Sequence, residues 1–224
     1  MRTATAHGLE ARLRALIDER SMLKHPFSVA LAAGSLGRGP LREYARQYYH
    51  FEAAFPQLLS SIHARTGSPR IRQLLLENLW DEEHGERNHP ALWLQFASAV
   101  GVQPHAVTNG PRRPETTALI EHFSEHARNA PLAEALATLF AFEGQVPTLA
   151  WATIKALTDH YGLRPEQFEF FSVHLVADVS HSGAEIEAIT LVCEDEEKVV
   201  AAAAEACDRL LTFLDGCMGT TGST

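Results

Sequence analysis

The sequence predicts an all-α protein, a single compact bundle of about seven helices in one domain over residues 1–224. Almost every segment has the residue pattern of a helix, and none shows the two-residue alternation that is typical of a strand. Several prolines follow residues that suit a helix start, as in Ser68-Pro69. A chain of 224 residues, 46% of them hydrophobic, is also long enough to bury a substantial core.

Prolines and a glycine-rich turn set the predicted boundaries in the first half of the chain. The turn 34–39 precedes Pro40, which suits the first turn of a long helix. Pro56 should kink that helix, because a proline removes one hydrogen bond and crowds the preceding turn. Pro90 should interrupt the next helix. The predicted helices are 9–22, 26–33, 40–66 and 69–100.

The second half begins after the segment 103–114, which contains prolines and arginines and is predicted to be a linker. Beyond it, Pro147 should kink one further helix, and the small polar residues 219–224 should form a frayed tail. The predicted helices are 115–129, 131–161, 165–191 and 194–218.

Charge and composition narrow the classes of function. The formal charge of −9 argues against a nucleic-acid partner, because phosphate binding needs clustered Lys and Arg and no basic run exceeds Arg112-Arg113. No run approaches the roughly 18–20 apolar residues that cross a membrane, and the N-terminus lacks the apolar stretch of a signal peptide. Three cysteines without C-x-x-C spacing indicate reduced thiols. We therefore expect a cytoplasmic protein that acts on a small molecule.

One segment carries a stripe of metal-binding residue types. His174, Asp178 and His181 stand four and three residues apart among apolar neighbours. On a helix these side chains fall within an arc of roughly 60°. Two imidazoles and a carboxylate on one face form a set of transition-metal ligands. Charged groups on a buried helix must be paired or metal-bound to offset desolvation, so a structural hydrogen-bonded network is the alternative.

A second polar set lies between positions 81 and 89. Glu82 and His89 are seven residues apart and face the same way, whereas Glu86 and His89 form the Glu-x-x-His pair of ferritin-like di-iron helices. Both carboxylates cannot be primary ligands on one metal face, so the two pairings stay open. Taken alone, the segment also fits a solvated helix face. Glu143 stands among apolar residues, where a lone glutamate can equally pair with an arginine.

The combination of these residue types points to redox metal chemistry. Mixed histidine and carboxylate ligands from several helices are how helical proteins hold iron or manganese. Carboxylates neutralise and bridge hard iron ions, while imidazoles bind the metal without adding charge. Two metals need about six ligands, with positions left open for O2 and substrate. The six residues are Glu82, His89, Glu143, His174, Asp178 and His181. The cysteine pattern excludes an all-thiolate zinc site.

Several short motifs together resemble one family. They are Tyr44-Ala-Arg-Gln-Tyr-Tyr, Ser61-Ile-His-Ala-Arg, Leu79-Trp-Asp-Glu-Glu, Asn88-His89, Phe142-Glu-Gly-Gln-Val-Pro147 and Ala177-Asp-Val-Ser-His181. With them, about residues 10–215 resemble the haem-oxygenase-like di-iron oxidases and oxygenases of the TenA/PqqC-like superfamily. Within that superfamily the chain is most similar to the CADD-like group, which is associated with p-aminobenzoate formation.

The resemblance implies a haem-oxygenase-like bundle that holds two iron ions, or iron with manganese, and uses O2 as co-substrate. It carries the same six residues over as metal ligands. Relatives of the fatty-acid decarboxylase that forms terminal alkenes use the Glu-x-x-His pair and an earlier helix glutamate, roles that Glu86 and Glu52 would fill here. For Glu52, a solvated or arginine-paired residue is the alternative. A homodimer is compatible with this fold.

Two positions depart from the CADD-like pattern, Ser28 in place of a tyrosine and Thr153 in place of a lysine. Those side chains are implicated in p-aminobenzoate chemistry, so the resemblance carries metal binding over to this chain but leaves open whether the product is the same. We expect an O2-activating di-iron enzyme that oxidises a small organic molecule. One alternative is a cofactor-free PqqC-like oxidase that uses the histidines as acids and bases. Another is a TenA-like thiamin-salvage enzyme, which would need a cysteine nucleophile in the pocket.

Overall fold

In a computed structural model that describes residues 2–219, twelve α-helices and two short 3-10 turns carry most of the chain, and these residues form no strand. The helices are α1 (Arg2–Glu19), α2 (Pro26–Ala32), α3 (Arg38–Glu52), α4 (Phe55–Arg65), α5 (Pro69–Glu83), α6 (His89–Ala99), α7 (Pro104–Thr108), α8 (Pro114–Asn129), α9 (Leu132–Glu143), α10 (Val146–Tyr161), α11 (Glu169–Val192) and α12 (Glu196–Met218). The 3-10 turns are Met22–Lys24 and Pro165–Gln167. Among the described residues, no helix is both long enough and apolar enough to span a bilayer.

The predicted all-α class is confirmed, but the described residues form twelve helices where eight ranges were predicted. Three prolines start new helices instead of kinking or interrupting existing ones, and the predicted linker contains one further short helix. Pro56, Pro90 and Pro147 each lie in the first turn of a helix, in α4, α6 and α10. A first-turn proline is tolerated because the N–H that it lacks would have no partner inside the helix. The chain therefore breaks just before each of these prolines.

These breaks place acidic and histidine side chains at helix ends. Glu52 is the last residue of α3, and Glu143 is the last residue of α9. Glu82 lies in the final turn of α5, and His89 is the first residue of α6. Residues at helix ends can project into the space between helices. The proline-defined breaks thus determine where four candidate ligands lie.

Two further boundaries differ from the sequence prediction. The first helix begins at Arg2 and ends at Glu19, where the prediction was 9–22. The predicted linker 103–114 contains the short helix α7, which begins with Pro104. In contrast, α10 ends at Tyr161 as predicted, with Gly162 in the left-handed conformation, at φ 67°, which a glycine adopts without strain. The predicted tail lies outside the described residues beyond Gly219.

The core is built around α9, whose side chains are nearly all buried. This helix is apolar on all sides, as expected for a helix that is enclosed by others. It packs against α8, α11 and α12, while α11 also contacts α5, α6 and α10. α9 and α11 therefore run side by side through the region where the candidate ligands meet.

Candidate metal centre

Two groups of buried side chains meet between the helices. One consists of Glu52, Glu82, His89 and His174, and the other of Glu143, Asp178 and His181. Within each group, one nitrogen or oxygen atom from every residue lies within 4.8 Å of the others. The members come from α3, α5, α6, α9 and α11, so five helices must be in place to form the site.

α11 explains why three of these residues share one place. His174, Asp178 and His181 all face inward and are buried, whereas Val176 and Val179 on the same helix are 73% and 63% exposed. In this stretch of α11, polar residues are buried while valines are exposed, which is the opposite of the usual amphipathic pattern, although α11 also buries apolar residues near both ends. Burying polar groups in preference to available valines costs stability unless those groups are bound to something.

The site also concentrates negative charge. The buried carboxylic acids among the described residues all belong to it: Glu52, Glu82, Glu143, Asp178 and Glu185. No lysine or arginine in the described part of the chain is buried with them. Carboxylates in a low-dielectric interior repel one another and require either protons or cations to be stable.

The proton affinities reflect this crowding. Burial raises the pKa of Glu52 and Glu82 well above the usual value, and neighbouring carboxylates raise both further. Burial and then Asp178 raise the pKa of Glu143 to about 7. Burial lowers the pKa of His174 to about 4, so this ring is neutral and has a lone pair available for a metal. Without a metal, the buried glutamates of the site bind protons, and a bound cation would displace those protons.

His181 behaves differently because carboxylates contact both of its ring nitrogens. Its Nδ1 lies 3.2 Å from Oδ1 of Asp178, and its Nε2 lies 3.0 Å from Oδ2 of Asp81. Burial opposes protonation, but the hydrogen bonds to these carboxylates and the charge of Glu143 outweigh it and raise the pKa of His181 to about 9. The imidazolium therefore supplies one positive charge to the metal-free site.

Several buried atoms in the site have no hydrogen-bond partner among the described residues. They are Oε1 of Glu52, Oε2 of Glu82, Nδ1 of His89, Oδ2 of Asp178 and both carboxyl oxygens of Glu185. Nδ1 of His89 does lie 2.9 Å from Oε2 of Glu82, but the orientation is not that of a hydrogen bond. Buried polar atoms nearly always have partners, so a cluster without them fits a cation-binding site.

Other side chains orient the candidate ligands. Nδ2 of Asn78 donates to both carboxyl oxygens of Glu143, at 2.9 and 3.0 Å. Nδ1 of His174 donates to the backbone carbonyl of Phe170 at 2.7 Å, which leaves Nε2 of His174 to bind a metal. Such hydrogen bonds fix the tautomer and the orientation of metal ligands.

An aromatic wall closes one side of the site. The ring of His174 lies 4.1 Å from that of Phe170 and 4.1 Å from that of His89, measured between centroids. Trp93 packs on Phe170 and Tyr48, and its Nε1 donates to the carbonyl oxygen of Ala45 at 2.8 Å. These buried rings keep water away from the ligand cluster.

The structure shows where each site residue predicted from the sequence lies. The six residues proposed as primary ligands are all buried in the two groups, and Glu52 joins the first of them. Glu86 is exposed in the turn between α5 and α6 and belongs to neither group. Sequence reasoning missed Glu185, which is buried beside Glu143. Its signal was present, since position 185 continues the inward stripe of α11 one turn beyond His181.

Comparison with known proteins decides the family. A family described as iron-containing redox enzymes matches residues 42–212. This chain belongs to that family. It is therefore an oxidoreductase, and the predicted resemblance to haem-oxygenase-like redox enzymes is confirmed. An iron-containing redox enzyme is also consistent with a site rich in histidine and carboxylate side chains.

Curated relatives of this iron-containing redox enzyme agree with the family. A 4-aminobenzoate synthase of Nitrosomonas europaea is 44% identical over 214 residues, covering 90% of this chain and 87% of the relative. A 4-aminobenzoate synthase of Chlamydia trachomatis is 36% identical, covering 91% and 89%. A pyrroloquinoline-quinone synthase of Ruegeria pomeroyi is 31% identical over 161 residues, covering 70% and 66%.

Solved structures agree on the fold of the family. A domain with a haem-oxygenase-like fold from Shewanella denitrificans has a TM-score of 0.76 at 20% identity and covers 94% of this chain and 90% of that one. A CADD-like protein of unknown function from Nostoc punctiforme has a TM-score of 0.74 at 18% identity, covering 96% and 97%. The haem-oxygenase-like fold class is confirmed by these matches.

Proposed function

We propose that this chain is a di-iron oxidase or oxygenase that uses O2 to oxidise a small organic molecule. The observation that supports this most strongly is the burial of five carboxylic acids and three histidines together, without a buried lysine or arginine among the described residues. Two divalent cations would offset that negative charge and would partner the buried atoms that lack hydrogen bonds. The iron-containing redox family supports iron as the metal.

The proposed ligands divide between two metal positions. Glu52, Glu82, His89 and His174 would hold one metal, and Glu143, Asp178 and His181 would hold the other. We assign the carboxylate of the α5–α6 region to Glu82 and not to Glu86, because Glu82 is 2% exposed and Glu86 lies at the surface. Iron and manganese share these ligand preferences, so a mixed pair also fits the donor set.

When bound, an iron pair supplies the electrons that O2 chemistry requires. The chain's own residues would do the rest. The hydrogen bond from His174 to the carbonyl of Phe170 holds the imidazole with Nε2 free. Asn78 holds the carboxylate of Glu143 through two hydrogen bonds. The aromatic wall excludes water, which would otherwise quench a reactive oxidant.

Glu185 gives the site a carboxyl group beyond the predicted ligands. It is 3% exposed, lies against Glu143 and has no hydrogen-bond partner for either oxygen in the described part of the chain. Burial and then Glu143 raise the pKa of Glu185 well above the usual value, so the metal-free protein holds a proton there.

The substrate is proposed to differ from that of the 4-aminobenzoate (p-aminobenzoate) synthases. Ser28 and Thr153, the two positions that depart from the CADD-like pattern, line one small cavity together with Tyr44. A tyrosine and a lysine at these two positions would add a second phenol and an amine to the cavity, whereas Ser28 and Thr153 add only aliphatic hydroxyls beside the phenol of Tyr44. We therefore propose that the enzyme oxidises a different small organic molecule and does not make 4-aminobenzoate.

The alternatives fit this site less well. A cofactor-free PqqC-like oxidase would leave the five buried carboxylic acids without a cation. A TenA-like mechanism needs a thiolate in the pocket, but Cys207 and Cys217 lie on α12 outside both ligand groups, and burial raises the pKa of Cys207 to about 12. Neither thiol is suited to act as a nucleophile.

The deciding experiment is the metal content after anaerobic loading with Fe(II). We expect about two irons per chain for the wild type, as in helical di-iron carboxylate proteins, and a much reduced content for His174→Ala. His160→Ala is the matched control, since His160 is exposed and lies in neither ligand group. Absence of bound iron in the wild type, with the fold intact by circular dichroism, would overturn the proposal in favour of the cofactor-free oxidase.

A further inference from the structure

A second concave site lies outside the metal centre. It is a cavity of about 410 Å³ between α3, α4, α7 and α8, on the surface of the bundle. None of the candidate metal ligands lines it. Its volume is within the range of pockets that hold small organic ligands and is much larger than a single inorganic ion requires.

The charge of this cavity opposes that of the protein. Arg112 and Arg128 both line it, and no aspartate or glutamate does, although the chain carries a net charge of −9. Neither arginine forms an ion pair or a side-chain hydrogen bond among the described residues. In contrast, the neighbouring Arg113 is paired with Glu43 at 2.7 Å. Both guanidinium groups are exposed, and an arginine without an ion-pair partner has its N–H donors available for a carboxylate or a phosphate.

A buried polar atom provides independent support. His50 is 7% exposed, lines the cavity and lies beside the backbone of Gly110, and its buried Nε2 makes no hydrogen bond of standard geometry in the described part of the chain. Buried side-chain nitrogens rarely lack partners unless a ligand or water completes the site. Ser124 adds a hydroxyl to the lining, and the buried residues Leu58 and Ile120 supply an apolar wall.

We propose that this cavity binds a small organic anion, a carboxylate or phosphate group carried on a compact apolar body. Arg112 and Arg128 would bind the anionic group, and His50 would form a hydrogen bond to it or to an adjacent polar atom. Leu58 and Ile120 would contact the apolar body. The inference does not depend on the metal centre, because its residues are separate from the proposed ligands.

The test uses benzoate and phenyl phosphate as probes, which share a ring and differ in the anionic group. Their binding to the full-length protein would be measured by isothermal titration calorimetry, with benzamide as the uncharged control ligand. We expect at least one anion to bind, benzamide to bind at least tenfold more weakly, and the double variant Arg112→Ala/Arg128→Ala to lose at least tenfold in affinity. The anion that binds more tightly identifies the preferred group.

Two further variants keep the test decisive. Arg209→Ala removes an exposed arginine that does not line the cavity, and its affinity for both anions should equal that of the wild type. Ser124→Trp fills the cavity without changing its charge and should abolish binding. If neither anion binds, or if binding survives both the double arginine variant and Ser124→Trp, the proposal is wrong. Survival would place the anion elsewhere, for example at the metal centre.

Discussion

The side-chain amide of Asn78, on α5, donates to both carboxyl oxygens of Glu143, on α9, at 2.9 and 3.0 Å. This pair joins two helices across the candidate metal centre. Both residues are buried, and Oδ1 of Asn78 has no partner among the described residues. A carboxylate that accepts two hydrogen bonds is held in one orientation. This fixed orientation favours metal binding, because the carboxylate does not have to be ordered when the metal binds.

Asn78→Ala should therefore weaken metal binding without removing a ligand. We expect the Fe(II) affinity to fall by about 10–100-fold, the usual effect of losing a group that orients a ligand. Fe(II) titration under anaerobic conditions measures it. Asn109→Ala removes an exposed asparagine and should leave the affinity unchanged. An unchanged affinity in Asn78→Ala would show that Glu143 needs no such support.

Glu82 and Glu86 provide a direct test of the ligand assignment. Glu82→Gln keeps the size of a buried side chain but removes its charge, and it should lower the iron content from about two to about one per chain. Glu86→Gln should bind iron like the wild type, because Glu86 lies at the surface in the turn after α5. Metal analysis of both loaded proteins would decide between them. Loss of iron in Glu86→Gln alone would support the Glu-x-x-His pairing instead.

The metal-free protein should lose stability as the pH rises above about 6.5. Burial raises the pKa of Glu52, Glu82 and Glu185, and raises that of Glu143 to about 7, so the folded state holds protons that the unfolded chain has released. A group whose pKa is raised by folding stabilises the fold below its unfolded value and loses that contribution as the pH rises. His181, whose pKa is raised to about 9, acts in the same direction between pH 6.5 and 9.

Thermal unfolding of the metal-free protein between pH 6.5 and 9 measures this effect. We expect the midpoint to fall across that range, by roughly 2–4 °C for each kcal/mol lost. Glu185→Gln imitates the protonated acid and should raise the midpoint at pH 8, whereas Glu86→Gln should not. Below pH 6.5 the trend should weaken, because burial lowers the pKa of His174 and of His122 to about 4 and acidification favours their unfolded, protonated forms. A midpoint that rises from pH 6.5 to 9 would contradict this account.

The identity of the product should separate this enzyme from its named relatives. Iron-loaded protein with O2 and a reductant should yield no 4-aminobenzoate, because Ser28 and Thr153 replace the tyrosine and lysine expected from the CADD-like pattern. The 4-aminobenzoate synthase of Nitrosomonas europaea, treated identically, is the positive control. Chromatography with mass detection measures both. Formation of 4-aminobenzoate by this chain would contradict the proposed substrate but would not affect the proposal of a di-iron centre.

The contribution of the aromatic wall to folding stability can be measured by removing Trp93. Trp93 is fully buried and donates its Nε1 to the carbonyl oxygen of Ala45 at 2.8 Å. Trp93→Ala should destabilise the fold by about 3–5 kcal/mol, the usual cost of removing a buried aromatic side chain. Trp80→Ala is the control, because Trp80 is 57% exposed. Urea unfolding of both variants compares them, and equal losses would mean that Trp93 is not a core residue.

Local patterns sufficed for much of the fold and part of the site. The helical class follows from residue pattern and from the absence of strand alternation. The inward stripe of His174, Asp178 and His181 follows from the 3.6-residue period alone, because all three lie on one helix, α11. The prolines indicate where a helix is disturbed, but their positions alone do not distinguish a kink from the start of a new helix.

The sequence by itself determined which residue types could serve as ligands and which of them share a face of α11. Only the tertiary structure decided which side chains from other helices join them. It places Glu52 inside and Glu86 outside, and it brings Glu185 against Glu143. The physical reason is that periodicity fixes directions within one helix. Burial and contacts between helices depend instead on the direction that the chain takes after each helix ends. The spacing of residues within a helix does not specify that direction.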